Sequence, residues 1–262
     1  MKHTIAPSVK MLVAFILAGG LTTSCTFDVN NPPAEVVKTW VGGIHTLPGS
    51  ATVSGRRRLA YIIDEHPEEW SVRVEREYLK PGARVPAVIY IHGCQGPSAS
   101  HVWAVTVNKL GFAFFGPDSF QRTNRVAGCY DKVSYAWRMR MRYEEILYAL
   151  HQVRSLQWVD QNRLVLMGKS EGGAAVARFS GDGFKAHIIL AYDCRSTGGN
   201  PAAPSDVAVL NVVGANDPRE GLCRIRSKFG GSKSVALPGQ GHAMTPRVAG
   251  RAVTEFLKEC CE

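Results

Sequence analysis

Short unbroken runs of apolar and β-branched residues recur along the chain, each stopped by glycine or a turn and followed by an amphipathic stretch. Ala87-Val88-Ile89-Tyr90-Ile91 halts at His92-Gly93, Phe112-Ala113-Phe114-Phe115 at Gly116-Pro117, and Leu164-Val165-Leu166-Met167 at Gly168. Similar runs predict strands over 186–192, 207–213 and 234–237. A strand apolar on both faces has to be covered on both faces, which is the situation inside a parallel sheet. Helices are predicted over 101–110, 135–156, 171–179 and 247–258. In the longest, Tyr143, Ile146, Leu147, Leu150 and Val153 keep three- and four-residue spacing, with Arg138 and Arg142 outside that stripe. Residues 70–78 alternate only in part and read as a half-exposed edge-side strand, closed by Pro81-Gly82. Strands alternating with helices define the α/β class, with a mainly parallel central sheet and helices on both faces. Ligands of such sheets bind beyond the carboxyl ends of the strands, so the residues just after each run are the ones to inspect.

The 262 residues contain no Pro-, Gly- or Ser-rich internal linker and no repeat, so a single domain is expected over 25–262, including an N-terminal extension. Residues 1–24 read as an export signal: Lys2 and Lys10 supply charge, 11–17 are continuously apolar, and Thr22, Thr23 and Ser24 are small. Gly19 and Gly20 interrupt the run, which is too short to span a bilayer. Leu21-Thr22-Thr23-Ser24-Cys25 resembles a bacterial lipoprotein signal, which would make Cys25 a lipidated first residue and the chain's one link to a membrane. Thr22 departs from the usual aliphatic residue, and ordinary secretory cleavage is the alternative. The expected location is therefore periplasmic or membrane-anchored, or else secreted. Cleavage removes two lysines and no acid, lowering the net charge from +9 to +7. The basic residues are scattered along the chain, so a solvated face is expected and no nucleic-acid partner. Nothing in the sequence sets an oligomeric state.

Export changes how cysteines are read, because thiols pair in an oxidising compartment. Beyond Cys25 there are six, which allow fifteen connectivities. Cys94 and Cys129 follow successive strand ends, as do Cys194 and Cys223, which favours pairing within each set; Cys260 and Cys261 either pair with each other or stay free. No CxxC spacing suggests zinc, and no metal site is expected.

Gly168-Lys169-Ser170-Glu171-Gly172 is a GxSxG pentapeptide lying between a buried strand and a helix. In that setting the sharp turn lifts the serine oxygen above the sheet, and the glycines avoid side-chain clashes. A phosphate loop needs glycine at 163, where Arg163 stands. A serine hydroxyl needs a base, and the base needs an orienting acid. Asp217 follows the strand at 207–213, and His242 lies between the last strand and the last helix. The order Ser170, Asp217, His242 is that of the α/β-hydrolase fold. Asp193 is the alternative acid, and His92 reads as a loop brace. Backbone amides for an oxyanion hole are expected from Glu171 and from Cys94, with Gln95 as the second choice. Lys169 and Glu171 are unusual charged flanks, placed to pair with each other or to select a substrate. Arg122, Arg125 and Arg195 are read as exposed arginines or as rim residues attracting an anionic substrate.

The His92-Gly93-Cys94-Gln95-Gly96 loop, Pro117-Asp118-Ser119-Phe120 with Arg122 and Cys129, the Gly168–Gly173 elbow, and the Asp217 and His242 loops together resemble the dienelactone hydrolase family. The resemblance covers residues 86–257. It implies hydrolysis of a small-molecule ester or lactone through an acyl-enzyme, with no cofactor. Ser170 stands where the family carries a cysteine, and the family is cytosolic, so dienelactone itself is not the expected substrate. A non-catalytic binding protein on the same scaffold, and acyl transfer or peptide hydrolysis by the same three residues, remain alternatives.

Overall fold

The computed structural model describes residues 27–47, 80, 82–123, 125, 128–129, 134–218 and 221–261. The export signal, Cys25 and the strand expected at 70–78 lie outside the described residues. Among the described residues seven strands form one sheet: β1 (Ile44–Thr46), β2 (Val85–Ile91), β3 (Ala113–Gly116), β4 (Val159–Lys169), β5 (Ala186–Leu190), β6 (Ala208–Gly214) and β7 (Lys233–Leu237). The spatial order is β1-β3-β2-β4-β5-β6-β7. All neighbours are parallel except β1, which runs antiparallel to β3 with Ile44 opposite Gly116. Every residue of β2, β3, β5 and β6 is buried, as apolar runs covered on both faces require.

Helices α1 (Ala34–Val41), α3 (Tyr135–Ser155) and α4 (Glu171–Arg178) cover one face, and α2 (Ser100–Asn108) and α5 (Pro246–Cys261) the other. The first layer packs Val36, Trp40, Ile146, Val153 and Val176 against Ile89, Ile91 and Leu166. The second packs Trp103, Val107, Val253 and Phe256 against Val88, Phe114, Val165 and Met167. The long α3 starts where the Ser134 hydroxyl accepts from the Trp137 amide, closing one of the donors left open at a helix start.

Three features differ from expectation. Helix α1 and the edge strand β1 were not anticipated: Ile44-His45-Thr46 is too short and too polar at its centre to declare a strand, yet Trp40 stacks on Phe115 and seats the pair beside β3. Strand β4 begins at Val159, well before its apolar run, because Val85 pairs with Val159 ahead of a bulge. Arg142 is fully buried inside the core face of α3, for reasons that appear at the site.

Disulfides join Cys94 to Cys129 and Cys194 to Cys223, closing loops of 35 and 29 residues. Loops of this size are worth about 3 to 4 kcal/mol each in the chain-entropy account. Cys260 is joined to Cys261. Such bonds are compatible with an oxidising compartment. Among the described residues no helix is long and apolar enough to cross a membrane.

Candidate functional site

Ser170 sits between the last residue of β4 and the first of α4, with φ 56° and ψ −114°. That backbone is left-handed, a region L side chains rarely occupy. It is held by the Ser170 amide donating to the Leu190 carbonyl (2.8 Å) and by the Ala174 amide donating to the Ser170 carbonyl (2.8 Å). Two glycines make the turn possible by close approach. A Cβ on Gly172 would collide with the carbonyl of Ile91, and one on Gly168 with the carbonyl of Gly172. The helix thus starts tight against the end of β2.

The loops after β6 and β7 bring Asp217 and His242 to this turn. His242 Nε2 lies 2.8 Å from Ser170 Oγ, and His242 Nδ1 lies 2.5 Å from Asp217 Oδ2. A carboxylate can only accept, so Nδ1 carries the proton and Nε2 is left to accept from the serine hydroxyl. Asp217 is buried at 4% side-chain exposure, while His242 is about one-third exposed at 35%, facing the opening. Asp193 takes no part in this chain: it accepts from the Arg195 amide and pairs with the Arg195 guanidinium.

The amides expected for an oxyanion hole flank Ser170. The His92–Gly96 loop packs against the elbow so closely that a Cβ on Gly93 would lie 3.4 Å from Ser170 Cβ. Among the described residues neither the Cys94 nor the Glu171 amide donates to a protein acceptor. Two cavities meet at Ser170 and His242. The larger, about 480 Å³, is walled by Tyr135, Arg138, Ala174, Tyr192 and Arg195. The smaller, about 190 Å³, is walled by Tyr90, Gln95, Ser98 and Lys169. The Cys94–Cys129 disulfide borders both. Burial lowers the Lys169 ammonium below its ordinary pKa. Among the described residues no three His, Cys, Asp or Glu side chains gather to hold a metal ion.

Beneath the elbow lies a buried ionic cluster that the sequence did not reveal. Glu171 does not pair with Lys169. It turns inward to Arg125 (2.6 Å), Arg142 (3.0 Å) and Arg138 (3.4 Å). Burial raises the Glu171 carboxyl, but the charges of Arg142 and Arg125 and their hydrogen bonds outweigh it and hold the group below the usual carboxylate range. Arg122 and Arg125, expected in solvent or on the rim, are instead buried. Arg122 lies 2.9 Å from Glu144 and 3.3 Å from Glu145, since guanidinium groups enter an interior only against carboxylates. Arg195 does reach the rim, 66% exposed. His92 is a brace: its Nδ1–H donates to the Gly93 carbonyl (2.7 Å) and its Nε2 accepts from the Ser119 amide (3.0 Å). Burial, with Arg142 beside it, lowers its pKa. The one visible hint of the cluster was an acid directly after the serine, which inside a fold demands a counter-charge.

A mainly parallel sheet with this strand order, helices on both faces and a serine on a strand-to-helix turn is the α/β-hydrolase fold. The chain is similar in fold to Est1E from Butyrivibrio proteoclasticus, with a TM-score of 0.51 and 18% identity over 67% of this chain and 88% of that one. Two further solved structures are similar. One is Thermogutta terrifontis esterase 2 phosphoramylated by tabun, with a TM-score of 0.49 and 15% identity over 70% of this chain and 86% of that one. The other is a dienelactone hydrolase-like promiscuous phosphotriesterase from metagenomic libraries, with a TM-score of 0.48 and 16% identity over 69% and 89%. At such identities the likeness speaks for fold alone. No protein-family model matches the chain, and no curated protein sequence matches it.

Proposed function

We propose that this chain is a serine hydrolase that cleaves a small carboxylic ester or lactone through an acyl-enzyme, and that it belongs with the dienelactone hydrolase-like α/β-hydrolases. The observation that carries this reading is the hydrogen-bonded chain Asp217, His242, Ser170, with its serine on a left-handed turn beside two amides that, among the described residues, have no acceptor. Ser170 Oγ attacks the carbonyl carbon as its proton passes to His242 Nε2, and Asp217 stabilises the imidazolium that forms. The Cys94 and Glu171 amides receive the negative charge that develops on the carbonyl oxygen. Collapse of the tetrahedral intermediate expels the alkoxide, which takes the proton from His242; in a lactone this hydroxyl stays tethered to the acyl group. Water then gives its proton to His242, attacks the ester to Ser170 and releases the acid as the proton returns to Ser170 Oγ. In the same reading the chain is exported, with residues 1–24 removed, residues 25–262 forming one domain, and Cys25 lipidated if the signal is of the lipoprotein type.

The test is Ser170→Ala in the mature protein. It should abolish turnover of short acyl esters and labelling by a fluorophosphonate, while the folded signature by circular dichroism is retained. Labelling that persists at another serine refutes the assignment.

A further inference from the structure

Arg142 touches both loops that supply the proposed oxyanion donors. Its Nε donates to Glu171 Oε1 at 3.0 Å, and its Nη2 donates to the His92 carbonyl at 3.0 Å. A third contact, Nη1 to Glu145 Oε2 at 3.1 Å, fixes the plane of the group. Glu145 is itself held by the Ser119 hydroxyl at 2.8 Å, on the segment whose amide grips His92. The guanidinium is fully buried, so these contacts are not shared with solvent.

The register of the sheet cannot set the spacing of those two donors by itself. The last residues paired between β2 and β4 are Ile91 and Gly168, and beyond them the two chains no longer pair with each other, although Lys169 still pairs with Leu190 of β5. One carries on through His92 and Gly93 to Cys94, the other through Lys169 and Ser170 to Glu171. Arg142 is a rigid planar strut across that gap, with one edge on a peptide carbonyl two residues before the Cys94 donor and another on the side chain of the residue whose own amide is the second donor. An oxyanion hole stabilises the transition state only when its donors are fixed before the charge develops.

We infer that Arg142 is a positioning residue that sets the separation of the Cys94 and Glu171 amides, so that its three-pronged contact tunes transition-state binding without touching substrate. The inference rests on the esterase reading above. A lysine keeps the charge but offers no planar fork, and cannot hold the Glu171 carboxylate, Glu145 and the His92 carbonyl in the same geometry.

The experiment compares wild type with Arg142→Lys on 4-nitrophenyl butyrate, with rates divided by the number of sites titrated by a fluorophosphonate. Per titrated site, kcat should fall about 10- to 100-fold with KM changed less than about twofold. The Ki of a butyl trifluoromethyl ketone, which forms an oxyanion on Ser170, should weaken by the same factor as kcat/KM. The affinity of the matching unreactive amide should stay put. A purely structural role would lower the titrated fraction and leave kcat and Ki per site unchanged, and that result overturns the inference. Should Arg142→Lys fail to fold, Glu171→Gln fills the same space and weakens the grip on Arg142 Nε together with the pairs to Arg125 and Arg138, leaving the Nη1 and Nη2 contacts in place. It should shift Ki and kcat together in the same direction, and unchanged values per site again overturn it. Absence of labelling in the wild type refutes the esterase reading instead, so the two failures are distinguishable.

Discussion

His187 offers a quantitative test of how the core responds to acid. It lies on β5, flanked in register by Leu166 and Val209, fully buried and packed on Phe179 and Phe184. Among the described residues neither ring nitrogen has a hydrogen-bond partner. Burial pushes its pKa from 6.5 down to about 3. In the unfolded chain the ring takes up a proton near pH 6.5, while in the folded chain it stays neutral until about pH 3. Between those values the unfolded state binds more protons. Stability is therefore complete above pH 6.5 and is lost progressively as the pH falls toward 3. Each pH unit well inside that window costs about 1.4 kcal/mol, so acidification from pH 7 to 4.5 costs about 2.5 kcal/mol from this residue alone. His187→Leu removes that share. It also removes two buried nitrogens without partners, a gain of about 1 to 3 kcal/mol set against a repacking cost of up to about 1.5. Urea unfolding of both proteins at several pH values between 7 and 4.5 gives the answer. At pH 7 the variant should lie between about 0.5 kcal/mol less stable and about 3 kcal/mol more stable than wild type, and relative to that value it should gain about 2.5 kcal/mol more at pH 4.5. An advantage that stays constant across the range means the ring titrates alike in both states, and refutes the argument. His45, lowered to about 4 by burial against the pull of its bond to the Trp40 carbonyl, supplies a parallel loss in wild type and variant alike.

Two further changes probe the site, the first against a control elsewhere in the chain. Gly172→Ala forces a methyl group onto the backbone carbonyls of Ile91 and His92, which cannot swing away, and should cost about 3 kcal/mol or more in thermal unfolding or prevent folding; Gly230→Ala, with open space around it, should cost about 1 kcal/mol at most. Asp217→Asn keeps the shape but lets the amide favour the wrong imidazole tautomer. It should lower kcat about a thousandfold or more in ester turnover assays, with the fold intact by circular dichroism.

The sheet was legible because its inner strands each carry a run of apolar residues on both faces, a pattern that burial on both faces imposes and that isolated polar residues such as His187 and Asn211 do not blur. The convergence of Ser170, Asp217 and His242 was legible for a related reason: each follows a strand end, where the fold type places its ligand side. Residues that act through distant partners were not. Arg122, Arg125 and Arg142 carry the same charge as solvated arginines, and nothing local in sequence says that Glu144, Glu145 and Glu171 will neutralise them. Helix periodicity misplaced Arg142 for the same reason, since it ranks side chains by polarity and has no knowledge of a carboxylate waiting across the interface. Strand β1 was missed because its stability comes from Trp40 stacking on Phe115, a contact between elements about 75 residues apart.

Left-handed backbone in residues other than glycine occurs in the described chain at Ser170, Ala191 and Cys194, and all three lie at the mouth of the sheet. Ser170 and Ala191 line the larger cavity. Each such residue costs on the order of 1 to 3 kcal/mol that glycine would not. A library screened only for resistance to heat would therefore enrich glycine at position 170 and discard the proposed nucleophile with the strain. Protein engineers working on this scaffold need an activity selection running beside the thermal one, because at this position the two pull in opposite directions.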